Sequence, residues 1–492
     1  MNKLKLYILA GALATGTTAF AQEASRSGYF LDGYTYRHML NPALTPDRGY
    51  VSIPALGNLG VGLQSNIGVN TFLYKLPNGQ LTTFMSPMVS ADEFLGKLGK
   101  NNKIMANLNE TLLSAGFRAF HGYNTITISA RTEVGANIPK DLLTFMKLGQ
   151  TGPETSYSFS DLRLKALAFG EVALGHQHQI TKELGIGAKV KFLIGIGHVD
   201  ANIKQMDVTL SNNIWSVQAQ GELNIGAGTG LKVPTNLESG KDLDRPETHD
   251  QIDYDGIDYD KFSLGGFGMA FDLGATYDMS RFVDGLTLSA AVIDLGFISW
   301  KNNVYAQTPN TRWEFDGFKN IALDSSQPDY SENKLGNQLD NMWDDLEDCT
   351  NFRRISDNGS QSQALAATFT LGAEYKLPVW KKLTGGFLFT HRFNGPFSWT
   401  EGRFSANLKP CSWFDMSVNY GASTFGNSFG WMLNLHPRGF NFFIGSDHQF
   451  FKVTPQYVPV GHANAQINLG FNITFGKSRP QSASADKVVA SL

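Results

Sequence analysis

Between Gly185 and Ile196 the chain keeps a period of two for twelve residues. Ile186, Ala188, Val190, Phe192, Ile194 and Ile196 lie on one face, with Gly185, Gly187, Lys189, Lys191 and Gly195 opposite. A soluble sandwich strand runs about five or six residues, whereas a strand crossing a bilayer needs about 9–11. The pattern recurs. Leu59, Val61, Leu63, Ile67 and Val69 oppose Gly60, Gly62, Gln64, Asn66, Gly68 and Asn70 over 59–70, and Ile126, Ile128, Ala130 and Val134 oppose Thr125, Thr127, Ser129, Arg131 and Glu133. Similar runs lie near 262–278, 286–299, 364–376, 383–393, 400–408, 412–421, 429–435 and 440–446. Barrel strands set apolar residues toward lipid and small or polar residues toward a lumen in this way.

Charged residues make up 17% of the chain, against about 25% in soluble proteins. After the N-terminus no run of 18 apolar residues occurs, so helical spans are not expected. Lipid cannot satisfy open strand edges, so a membrane form of this chain must be a closed barrel. A net charge of −3 leaves no basic excess for phosphates, which excludes a nucleic-acid partner. Lys3 and Lys5 precede an apolar run from Leu6 to Leu13, then Ala19-Phe20-Ala21, the pattern of a signal peptide cut after Ala21. The expected division is a signal peptide over 1–21, an N-terminal segment over 22–49, an all-β transmembrane antiparallel barrel over 50–476 and a polar tail over 477–492.

Connections alternate in length. Short links at His121-Gly122-Tyr123, Thr181-Lys182-Glu183, Lys409-Pro410-Cys411 and His436-Pro437-Arg438-Gly439 alternate with longer segments near 71–112, 135–161, 200–261 and 300–363. This predicts short periplasmic turns and long extracellular loops. Counting from 59–70 to 465–475 gives fourteen strands, and twelve or sixteen fit the same pattern. The even count puts both chain ends in the periplasm, with Cys349 and Cys411 at opposite ends of the barrel and unable to bridge. In the last run Ile467, Leu469, Phe471, Ile473 and Phe475 share one face. Asn468-x-Gly470-x-x-Ile473-x-Phe475 resembles the β-signal read by the barrel-assembly machinery, which can bind a terminal strand by β-augmentation.

Ahead of the first long strand come Tyr29, Phe30, Tyr34 and Tyr36, then His38-Met39-Leu40-Asn41-Pro42-Ala43-Leu44. This Asn41-Pro42-Ala43 element, followed by Val51-Ser52-Ile53-Pro54-Ala55-Leu56-Gly57, resembles the FadL-like long-chain fatty-acid transporter superfamily and its type IX secretion relatives, in a Bacteroidetes-type branch. The resemblance implies fourteen strands around a lumen and an N-terminal segment folded inward as a hatch. It further implies an integral protein of the bacterial outer membrane that passes hydrophobic or amphipathic compounds passively. The alternative it carries is a binding or scaffold protein for secretion or surface assembly, with a secreted partner on loops 200–261 and 300–363.

Strand parity turns Arg131, Glu133, Glu171, Lys189, Lys191, Asp272, Glu374, Arg392 and Arg403 into the lumen. Mixed signs there fit charges that pair across the interior, or a polar track for a ligand. Nothing points to an enzyme or a cofactor. Gly476-Lys477-Ser478 lacks the first glycine of a phosphate loop, with Phe471 in its place, and no His-Glu-x-x-His or Gly-x-Ser-x-Gly occurs. His176 and His178 share a face beside a short turn, where rings commonly meet the membrane interface, so no metal site is assigned to them. From Glu238 to Asp260 nine acidic residues face Lys241 and Arg245, which fits a solvated loop better than a calcium loop. Leu335, Leu339, Met342, Trp343 and Leu346 give helical spacing over 332–347.

Overall fold

The computed structural model describes residues 25–318, 321, 334–448 and 464–476, so the expected signal peptide and polar tail lie outside the described residues. Eighteen strands form one sheet, and the last, Ala465–Phe475, pairs antiparallel with the first two, Gly49–Ser52 and Leu59–Ser65. The sheet is therefore a ring. Gly49–Ser52 and Leu59–Ser65 share one line of the wall, between Ala465–Phe475 and Asn101–Ala119. Trp215–Gly226 likewise continues the line of Gly266–Asp278, Arg312–Phe315 that of Leu286–Gln307, and Arg353–Ala364 that of Thr368–Lys376. With those four strands absorbed, the wall has fourteen positions.

The outward face is apolar, as lipid requires. Ile186, Phe192, Phe267, Phe271, Leu273, Phe404, Ile467 and Ile473 are all exposed, while Lys189, Lys191, Arg403 and Asn468 on the opposite parity are buried. Among the described residues no helix is long and apolar enough to cross a membrane. One rim carries short turns, such as Phe120-His121, where both residues have positive φ (54° and 59°) as a two-residue hairpin turn demands. The other rim carries the long connections.

The wall is uneven in height. Leu383–Arg392, Phe414–Ser423 and Gly426–Leu435 have 10 residues each, but Glu154–Gln179 has 26 and Leu184–Ser211 has 28. About 9–11 suffice to span, so the surplus rises above the long-loop rim. Segments read from the sequence as loops are therefore partly strands: 200–211, Trp215–Gly226, Leu286–Gln307 beyond 299 and Arg353–Ala364. Loop residues Val233 and Ile252 pack on Val199, Leu223, Ile225 and Phe352 of this tall wall. The loop helix spans Leu335–Thr350. The first strand also differs, ending at Ser65, with a helical turn at Val69–Phe72 where the apolar alternation continued.

Much of the acidic run is ion-paired within the protein. Asp253 pairs with Lys241 at 2.6 Å, Asp250 with Arg353 at 2.9 Å, and Glu238 with Arg354. Both cysteines are free thiols. Cys349 is the buried residue of the loop helix, its thiol against the Thr311 carbonyl at 3.0 Å.

Candidate functional site, the plugged lumen

Residues Ser25 to Asp47 run through the lumen from the long-loop end to the short-turn rim. At the upper end Asp447 gathers the start of the segment. It accepts from Ser25 Oγ (2.6 Å), Arg26 N (2.8 Å), Ser27 N (2.7 Å) and Ser27 Oγ (2.6 Å). The Arg26 guanidinium lies 3.5 Å from Glu401 and 4.6 Å from the centre of the Trp399 ring. Glu401 also takes a bidentate pair from Arg403, both bonds 2.9 Å.

Below this clasp the plug packs through aromatic rings on a row of asparagines. Tyr34 and Tyr36 meet Phe443 edge-on, with centroids at 4.9 and 5.8 Å. Tyr36 Oη donates to Asn472 at 2.8 Å, Thr35 Oγ1 to Asn441 at 2.6 Å, and Tyr34 Oη to Asn468 at 3.4 Å. Of the residues read as an assembly signal, Asn468 thus faces the plug segment, and Gly470 lies against the Gly57 carbonyl in the link between the first two strands. Ile473 and Phe475 face outward and are exposed.

The short helix Arg37–Leu40 carries His38 into a relay of hydrogen bonds. Lys189 Nζ sits 2.8 Å from His38 Nδ1, and an ammonium can only donate, so Nδ1 accepts. The proton must then be on Nε2, which donates to Tyr50 Oη at 2.7 Å, and Tyr50 continues to Ser114 at 2.7 Å. With Nδ1 accepting and only Nε2 protonated, the His38 imidazole is neutral.

Asn41-Pro42-Ala43 comes next. Asn41 Nδ2 donates to the Ala290 carbonyl (3.2 Å) and Tyr29 Oη (3.2 Å), while its Oδ1 accepts from Ala43 N at 2.9 Å. The turn fits because the facing wall has no side chains. A Cβ on Gly187 would lie 2.2 Å from the Pro42 carbonyl, and one on Gly274 would lie 2.0 Å from Asn41 Oδ1. The segment leaves the lumen where Arg48 donates to the Pro437 carbonyl at 2.8 Å and Tyr123 Oη to the Arg48 carbonyl at 2.8 Å.

All nine charges assigned to the lumen by parity face it, and six of them meet. Arg131 pairs with Asp294 (2.8 Å) and Glu171 (3.2 Å), and Lys191 with Asp272 (2.8 Å) and Asp294 (2.6 Å). Glu133 joins Arg131 and Arg392 to this group, with Lys189 beside it. Arg403 belongs to the Asp447 clasp, and Glu374 lies apart, nearer the short turns, opposite Thr287 and Gly386. Parity missed Asp294. In Leu286–Gln307 the exposed residues switch from Leu288 to Leu295 and Phe297, because a bulge opposite 271–273 inserts one residue, and Asp294, at φ 61°, turns inward there. Arg26, Glu401 and Asp447 were also missed. The pairing partner of each lies hundreds of residues or a strand-flip away, and only the neighbouring alternation of Glu401 and Arg403 hinted at it.

Between plug and charged wall a cavity of about 60 Å³ remains. His176 and His178 stack outside, near the short turns, with His176 Nδ1 2.9 Å from Asn124 Oδ1.

A closed antiparallel barrel with an apolar outer face and a lumen filled by its own N-terminal segment is a plugged transmembrane β-barrel. The chain belongs to a family of unknown function (DUF5723), whose profile matches residues 42–447. Among solved structures it is similar to the toluene transporter TbuX of Ralstonia pickettii, at 9% identity and a TM-score of 0.36, covering 94% of this chain and 96% of that one. It is similar also to the toluene transporter TodX of Pseudomonas putida (10%, 0.37, 93% and 99%) and to a Pseudomonas aeruginosa FadL homologue (11%, 0.36, 93% and 97%). Likenesses so remote carry no weight for substrate or mechanism. No curated protein matches the chain.

Proposed function

We propose that this chain is a channel of the bacterial outer membrane for passive uptake of hydrophobic or amphipathic compounds, held shut by its N-terminal plug. The observation that carries this is the lumen itself. A wall of fourteen strands encloses a wide interior, yet the plug threads it from end to end, and the cavity between plug and charged wall is only about 60 Å³. An open pore for hydrated solutes would not be so filled, and a barrel with a purely structural role would not need a separately docked segment. The long-loop rim supports the hydrophobic part of the reading. Leu81, Met85 and Met88 of the segment after the first wall line are more than half exposed, and Met146 and Leu148 of helix Lys140–Leu148 are exposed on the same rim. Lys147 ties the two by donating to the Phe84, Ser86 and Val89 carbonyls. Such side chains above the apolar band suit capture of apolar solutes.

In this reading the solute is taken up on the rim, the plug shifts, and the solute passes to the periplasm. The barrel contributes no chemical step. The strand Ala465–Phe475 would be the one the assembly machinery recognises, and membrane lipids would cover the outer face. The tall wall and its folded loops favour a second reading, a surface scaffold that holds a secreted protein.

The test is uptake of radiolabelled decane and 1-decanol by cells with and without the chain. The channel reading expects uptake of at least one to rise several-fold. Rates unchanged by the chain for both compounds would refute it.

A further inference from the structure

We propose that the luminal cavity beneath Arg26 binds the head of a neutral amphipath, a group that both donates and accepts hydrogen bonds, such as an alcohol, a phenol or a primary amide. This rests on the channel reading and names its substrate class.

The walls of the cavity carry polar atoms with nothing to bond. Asn109 Oδ1, Asp272 Oδ2, Thr390 Oγ1 and Trp399 Nε1 line it without a hydrogen-bond partner among the described residues. The four side chains are 6%, 0%, 2% and 4% exposed, so bulk water does not serve them. Two of these atoms only accept, the indole N–H only donates, and the threonine hydroxyl does either. A buried polar group left unpaired costs free energy, so this set calls for an occupant of mixed hydrogen-bonding character. About 60 Å³ holds roughly four water-sized spheres, which is the size of a head group and not of a whole lipid.

The rest of the lining says what the occupant is joined to. Met39, Leu40, Ile293 and Leu388 line the same space, so the part of the occupant next to its polar head is apolar.

Charge argues against an anionic head. The cavity is bordered by Arg26, Arg131, Lys189 and Lys191 and by Glu171, Asp272 and Asp294, four cations against three acids, and Arg26 is matched from outside the lining. Arg131 and Lys191 already point at those carboxylates, and Arg26 is engaged by Glu401 and Asp447. A carboxylate head would enter a balanced field and face three acids. A bare hydrocarbon would leave all four polar atoms unpaired. A neutral head that reproduces the bonds of displaced water avoids both penalties.

The experiment uses the purified full-length protein in lipid nanodiscs and three probes with one tail, 1-decanol, decanoate and decane, with affinities from calorimetry. Decanol is expected to bind at least tenfold more tightly than either of the others. Thr390→Val, close to the native volume, should weaken decanol at least fivefold and leave decane unchanged, and Trp399→Phe, which removes the indole N–H together with part of the ring, should weaken decanol at least fivefold relative to decane. Heat-modifiable mobility on a gel verifies that both variants are folded barrels. Decanoate or decane binding as well as decanol would overturn the proposal. So would wild-type decanol affinity in both folded variants, because the cavity would then hold water only. The channel reading fails separately. Selective decanol binding without cellular uptake sinks the channel and keeps the site, whereas uptake without head preference sinks the site and keeps the channel.

Discussion

His38, midway along the plug, and His448, on the wall at the plug's upper end, are two neutral imidazoles in the contact between them. His448 accepts from Arg26 Nη2 at 2.9 Å, since a guanidinium can only donate, and burial together with that cation lowers its pKa to about 4. His38 is neutral because its Nδ1 accepts from the Lys189 ammonium, and a proton there would break that bond. The sign follows. The docked state excludes protons that His38 and His448 would bind at the ordinary histidine pKa of about 6.5 once the plug is released. Docking is therefore unaffected above about pH 6.5 and weakens about tenfold per pH unit and per histidine below it, the His448 contribution levelling off near pH 4. Conductance of the purified protein in planar bilayers should rise as the pH falls from about 7 to about 5. Replacing both histidines by glutamine should flatten that rise, and a pH-independent wild type would contradict it. Little of this was legible in the sequence. A histidine's partner across a lumen is set by register and by which residue a bulge turns inward, as with Asp294, and neither leaves a local mark.

The Asn41-Pro42-Ala43 turn and the wall glycines opposite it form one element although they lie far apart in the chain. Gly187 and Gly274 sit on adjacent strands, paired directly in the ladder, and together make a flat seat. Gly187→Leu or Gly274→Leu should leave the ring of strands intact, because both strands keep their backbone pairing, yet unseat the plug. Such a variant should keep heat-modifiable mobility while residues 25–48 become open to protease, and a plug as protected as the wild type would refute this account of the seat. The same scale separates what could be read from what could not. Strands within the membrane announced themselves through alternation, as at Gly185–Ile196, because one face meets lipid. The parts of Leu184–Ser211 and Arg353–Ala364 above the membrane did not. With water available to both faces, Ser, Gln, Asn and Asp are tolerated at either parity, so these segments read as loops although they are paired strands.

At the scale of the whole molecule, the barrel is a tall, lopsided cup whose lumen is closed by its own N-terminal segment. The count of fourteen positions was accessible from turn spacing, since each short link fixes two neighbouring strands, whereas the plug's path depends on contacts between Ser25–Asp47 and almost every wall strand. The central claim is that solute passes only when this segment moves. Thr35 Oγ1 and Asn441 Oδ1 are 2.6 Å apart, one on the plug and one on the wall. With Cys349 and Cys411 changed to serine, Thr35→Cys and Asn441→Cys should form a disulfide that locks the plug to the barrel. The measurement is the rate of radiolabelled 1-decanol uptake by cells bearing this variant, oxidised and then reduced. The account predicts that uptake in the oxidised form falls to the level of cells without the protein and returns on reduction. Equal uptake in both forms, with the disulfide verified by mass spectrometry, would contradict it.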